Sequence, residues 1–168
     1  MLHPPDNIIY VFAQSTILIP YRPLEVARTL TDPGHAWSVP LDGDGGKLLA
    51  RVGVSIGRLP IYKHVRLDVG VTRIRGMHES VMLPVTWTAV GGPPLFPKME
   101  GTLHVDPYGP ESTRLTLNAR YDPPMGAIGN LVDRALMHRL AQSTMDDFIG
   151  RLSAAVTAEV RRVGADGR

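Results

Sequence analysis

YDPPMGAIGNLVDRALMHRLAQSTMDDFIGRLSAAVTAEVRRV, residues 121–163, is the stretch whose reading decides the fold. It is the only long segment of the chain with a helical period. Pro123 and Pro124 end a strand, because proline offers no amide hydrogen to a ladder. Ile128, Leu131, Val132, Ala135 and Leu136 then recur at spacings of three and four, as an amphipathic helix requires. Leu140, Ala141, Met145, Phe148, Ile149, Leu152 and Val156 continue the pattern. Almost everything before this helix reads as short strands, and a sheet closed by one long helix is a container.

Outward from the helix, period-two runs predict antiparallel strands over 8–20, 47–57, 61–74, 79–91, 99–106 and 113–122. Pro23 opens a short helix, PLEVARTLTD, with Glu25 in its first turn, and Asp32-Pro33-Gly34 stops it. HAWSVP follows as a loop or a second helical turn. Asp42 to Gly46 is a turn: an EF-hand loop would need Glu eleven residues after Asp42, and Gly53 stands there. Centring a hairpin on Gly76 sets Val69 opposite Leu83, Leu67 opposite Val85, Val65 opposite Trp87 and Arg73 opposite Glu79. Pro84 inside such a strand calls for an edge or a bulge beside it. The shared phase points Val65, Leu67, Val69, Leu83, Val85, Trp87, Leu103, Leu115, Leu117 and Tyr121 at the helix. The sum is an α+β fold, an antiparallel sheet of about six to seven strands with a long C-terminal helix and one or two short helices after the first strand. Residues 1–163 form a single domain, and 164–168 a flexible tail.

The 168 residues are 43% hydrophobic and 20% charged, ordinary values for a soluble globular domain. The absence of cysteine excludes disulfides and thiolate chemistry and fits a cytoplasmic location. No signal peptide pattern opens the chain, and no apolar run approaches the ~18 residues of a membrane span. The formal net charge is only +2, aromatic residues are 6%, and no basic stripe is interleaved with them, which argues against nucleic acid as a partner.

With this element order in hand, the chain resembles the START/Bet v 1-like superfamily (SRPBCC), in particular its polyketide cyclase or dehydrase-like branch. The resemblance is sharpest over residues 85–152 and in the pattern carried by Tyr121, Pro123, Pro124, Gly126, Gly129 and Asp133. It implies a helix-grip fold, in which a curved sheet wraps the C-terminal helix and leaves an apolar cavity for a small molecule. It implies no catalytic set, because the family includes binders, transporters and cyclases.

Six histidines without ligand spacing and no cysteine give no expectation of a metal, and no phosphate loop or cofactor motif is present. Gly126-x-x-Gly129 reads as close helix packing. The expected ligand-binding set is Trp87, Leu67, Val69, Leu83, Val85, Leu117, Tyr121, Phe96, His138 and Gln142. Along the seam Ile128, Leu131, Ala135, His138, Gln142, Met145, Ile149, Leu152 and Val156, only His138 and Gln142 are polar. They stand either at the cavity or at the edge of a buried face that rotates along the helix. Arg73 with Glu79 is either a grip on a polar ligand end or a surface ion pair.

The expected function is therefore binding of a hydrophobic or amphipathic small molecule, without an evident catalytic set. The alternative is a polyketide aromatase/cyclase-like enzyme, with His138 as base and Tyr121 or Arg73 as donor to an enolate oxygen. A third reading is a protein-interaction module using the helix tail and the Leu95-Phe96 loop. No nucleic acid and no stable membrane insertion are expected; the oligomeric state stays open, a homodimer among the options. Thirty-seven helical residues, Gly126 to Arg162, would reach about 55 Å, longer than the domain. A bend or break between Met137 and Gln142, or fraying after Val156, is expected to keep the helix on its sheet.

Overall fold

The computed structural model describes residues 11–31, 48–56, 59–69, 73–75, 80–89, 98–121 and 134–166. The elements are β1 (Val11–Ile19), α1 (Pro23–Thr31), β2 (Leu48–Ile56), β3 (Leu59–Val69), β4 (Arg73–Arg75), β5 (Ser80–Ala89), β6 (Met99–Pro107), β7 (Thr113–Tyr121) and α2 (Arg134–Asp166). The strands form one antiparallel sheet in the order β1-β7-β6-β5-β3-β2, with β4 also paired to β5. Four of them, β1, β5, β6 and β7, have most of their side chains described, fewer than the six to seven expected. The packing of the sheet is read from these four, because β2 and β4, and β3 apart from Val69, are described in backbone only.

Local chemistry explains the elements. In β1, Val11, Ala13, Ser15 and Ile19 are buried while Phe12, Gln14, Thr16 and Leu18 face out, the alternation of a half-buried strand. At the start of α1 the Glu25 carboxylate accepts from the Arg22 backbone N–H at 3.3 Å, half of a capping box. The turn between β6 and β7 closes through the Tyr108 N–H donating to the Ser112 carbonyl at 2.9 Å. Gly109 takes φ +88° there, a conformation glycine adopts without a Cβ clash.

Helix α2 runs along β1 and β2, which are the two edge strands of the sheet, and α1 packs against it. One helix can touch both edges only if the sheet curls around it. The buried core between them holds Leu83, Val85, Trp87, Leu103, Leu115, Leu117 and Tyr121 from the sheet and Met145, Phe148, Ile149, Leu152 and Val156 from α2. Trp87 and Phe148 meet in the middle, ring centroids 5.1 Å apart and tilted by 60°. The expected helix-facing phase is the observed one wherever side chains are described; those of Val65 and Leu67 lie outside the described residues.

Two expectations fail. The β3–β5 register sets Val69 opposite Val85, Leu67 opposite Trp87 and Val65 opposite Ala89, two residues from the hairpin centred on Gly76. A shift of two keeps every side chain on its face, so the phase survives an error in the turn. Further along, Arg73 stands opposite Met82 rather than Glu79. From Val69 to Arg73 is four steps, and from Val85 to Met82 only three. That extra residue puts Arg73 out of the row of Val81 and Leu83. Pro84 falls between the β3 and β4 pairings, and no described residue on that side pairs with it.

The second failure is the expected break or fraying of the helix. α2 is unbroken from Arg134 to Asp166, with no interruption at Met137–Gln142 and no fraying after Val156. Its 33 residues reach about 50 Å. The length is accommodated by overhang: Val160 is still buried, and residues 161–166 are exposed. The Arg161 guanidinium donates to the Tyr21 hydroxyl at 2.9 Å, tying the root of this overhang to the loop after β1.

Candidate functional site

Register lays the helix-facing side of the sheet out in rows. One row is Leu67, Trp87, Met99, Tyr121 and Val11; the second along from it is Leu83, Leu103, Leu117 and Ser15. Between them runs Val69, Val85, Gly101, Ala119 and Ala13. Across β6, β7 and β1 this middle row offers nothing larger than a methyl group, a trough in side-chain size between rows led by Trp87, Met99 and Tyr121 and by Leu83, Leu103 and Leu117. Gly101 is required by the close approach of its neighbours. A Cβ there would lie 2.6 Å from the Asn118 carbonyl oxygen and 3.0 Å from the Ala119 Cβ.

At the β1 end the trough meets a groove of about 370 Å³, lined by Phe12, Ala13, Gln14, Asn118, Ala119, His138 and Gln142. Ala13 and Ala119 belong to both. Pockets for small molecules occupy roughly 300–1,000 Å³, so the groove alone is at the small end of that range.

The structure brings His138 and Gln142 to one groove, as the helical spacing suggests, but at the rim. His138 is exposed and Gln142 half-buried, while Met145, Ile149, Leu152 and Val156 of the same seam are buried. The Gln142 amide donates to the Gln14 carbonyl at 2.8 Å and to Asp146 Oδ1 at 3.0 Å. Ser15 donates to the same oxygen at 2.5 Å. Gln142 therefore helps to dock α2 onto β1. Gln14 and Asn118 close the outer rim through a 2.8 Å amide–amide bond.

Ser15 and Asp146 were missed by the sequence reading. The signal was present, since Ser15 is the one polar residue on the inward phase of β1, and Asp146 lies one turn after Gln142.

Tyr121 stands two residues from Ala119 on the same face of β7 and is 7% exposed. Burial pushes its phenol up to about 12, so it is a neutral hydrogen-bond donor throughout the physiological range. Trp87, Leu83, Val85 and Leu117 are buried in the core, and Val69 is half-buried against it. Arg73 is at the register position opposite Met82, and its side chain lies outside the described residues. Phe96, Glu79, Trp37 and the segment Pro123–Asp133 lie outside the described residues. A second crevice of about 330 Å³ separates α1 from the end of α2; its charged residues, Glu25, Arg28 and Glu159, are of mixed sign. Among the described residues no cluster of three or more His, Asp or Glu could hold a metal ion, and no helix is long and apolar enough to cross a membrane.

This geometry has counterparts among solved structures. A protein from Thermus thermophilus superposes with a TM-score of 0.53 at 19% identity, over 89% of this chain and 99% of its own. Norcoclaurine synthase from Thalictrum flavum gives 0.54 at 13% identity, over 95% and 96%. The Zhui aromatase/cyclase from a Streptomyces species gives 0.50 at 17% identity, over 92% and 95%. The chain has the START/Bet v 1-like (SRPBCC) fold. No protein-family model matches it, and no curated protein is similar to it in sequence. At these identities the likeness is one of fold: an SRPBCC sheet, curled about its C-terminal helix.

Proposed function

We propose that this SRPBCC chain binds a hydrophobic or amphipathic small molecule between the sheet and α2. The observation that supports this most is the row Gly101, Ala119 and Ala13, which leaves the helix-facing side of three adjacent strands without bulk and meets an open groove at His138 and Gln142. The rows on either side carry Trp87, Met99 and Tyr121 and Leu83, Leu103 and Leu117, side chains that fill the space a packed face requires. An apolar ligand in the trough would bury its surface at about 25 cal/mol per Å². In keeping with the cysteine-free sequence, we assign the chain to the cytoplasm.

The alternative is an enzyme of the polyketide cyclase/dehydrase-like branch, with His138, Tyr121 and Arg73 as its candidate residues. It draws support from the aromatase/cyclase among the fold neighbours and from the protonated state of Tyr121, which suits an enolate-oxygen donor. Binding is favoured over it because the Gln142 amide, one of the two polar side chains on the helix seam, is engaged in docking α2.

Titration with the neutral fluorophore Nile red tests the proposal. The wild type is expected to bind one equivalent with a blue-shifted emission. Ala13→Leu, which fills the trough at its groove end, is expected to weaken binding at least tenfold while circular dichroism stays unchanged. Unaltered binding in a folded Ala13→Leu variant would contradict the site.

A further inference from the structure

We infer that the bound molecule is an uncharged hydrogen-bond acceptor, a ketone, lactone or ether oxygen on a slender apolar body, held through the Tyr121 hydroxyl and selected against carboxylates. The inference rests on the binding reading above and adds the chemistry of the ligand.

The first support is the hydroxyl itself. Tyr121 lies on the helix-facing side of β7, 7% exposed, in the row that borders the trough. No described residue makes a hydrogen bond to it. Its row-mates Met99 and Val11 and its same-face neighbour Ala119 offer no side-chain acceptor. Buried polar side-chain atoms are in large majority partnered, and a hydroxyl with no partner among the described residues is a place where a ligand can supply one. What suits it is an acceptor, because burial keeps the phenol protonated to a pH far above neutrality.

The second support is the charge of the surrounding layer. The buried polar side chains among the described residues are Ser15, Thr113, Thr116, Thr144 and Ser153, none of them ionised. Among the arginines with described partners, Arg22 pairs with Glu111 and Arg120 with Glu100 at the surface. A carboxylate drawn to Tyr121 would be desolvated with no described cation beside it, which is far more costly than burying a carbonyl.

The third is width. Gly101 and Ala119 form the row next to Met99 and Tyr121, and neither carries more than a methyl group. A flat or thread-like body fits such a trough better than a globular one.

Three probes of one shape separate the terms: 2-acetylnaphthalene, 2-ethylnaphthalene and 2-naphthoate, titrated calorimetrically at pH 7.5. The acetyl compound is expected to bind about tenfold more tightly than the ethyl compound, the worth of one net hydrogen bond. Naphthoate is expected to bind more weakly than either. Tyr121→Phe should abolish the acetyl preference and leave the affinity for 2-ethylnaphthalene within twofold, which also shows that the variant is folded. Equal or tighter binding of naphthoate, or an acetyl preference that survives Tyr121→Phe, would overturn the inference and leave the binding reading standing. If none of the three probes binds, the binding reading falls, and the inference with it.

Discussion

Truncating Phe148 to alanine tests whether α2 is seated on the sheet as described. The ring is 2% exposed and lies 5.1 Å from the indole of Trp87 on β5. A buried phenyl group removes roughly 150–250 Å² from water, about 4–6 kcal/mol at 25 cal/mol per Å² as an upper bound. Alanine retains the Cβ, so the expected loss is about 3–5 kcal/mol. Of this, about 0.5–1.5 kcal/mol belongs to the tilted ring pair and should emerge as coupling in a cycle with Trp87→Leu. Urea unfolding followed by far-UV circular dichroism measures each corner of the cycle. A loss below about 1 kcal/mol for Phe148→Ala, with no coupling to Trp87, would refute the packing of α2 against β5.

Two further perturbations probe the trough and the outer face. Gly101→Ala places a Cβ 2.6 Å from a backbone oxygen that cannot swing aside, so β6 and β7 must separate. A loss of about 1–3 kcal/mol is expected, read as a melting temperature several degrees lower; an unchanged melting temperature would contradict the close approach. On the outer face, Lys98 and Arg120 hold the Glu100 carboxyl below its ordinary range through hydrogen bonds. A depressed folded pKa stabilises above the unfolded value and is lost as pH falls through the folded one. Glu100→Gln should therefore flatten the fall of melting temperature with pH below about 4.5 and matter least when the carboxyl is protonated; parallel profiles for the two proteins would count against the contact.

The sequence made the fold legible where one periodicity carried it. Leu115, Leu117 and Tyr121 on β7, and Leu83, Val85 and Trp87 on β5, alternate cleanly, and each is buried on the helix side. Register was less legible, because a shift of two residues leaves the pattern unchanged and only the turn distinguishes the options. The extra residue between Val69 and Arg73 left no mark on the alternation except Pro84, which asks for an edge or a bulge beside it. The helix misled for a different reason. Its length was reconciled with a small domain by a bend, a break or fraying, but a polar last turn such as Arg161, Arg162 and Asp166 can overhang in water. His138 shares the phase of Val156, and phase cannot show that the groove stands open at that turn. The small-residue row was invisible for the same reason: Gly101, Ala119 and Ala13 are adjacent only through register.

Native mass spectrometry of the protein as purified from its expression host tests the central claim most directly. The account expects a single noncovalent adduct of low mass, released on collisional activation, and its loss in Ala13→Leu. Wild-type protein that carries no adduct and takes up none from a panel of neutral apolar compounds would contradict it.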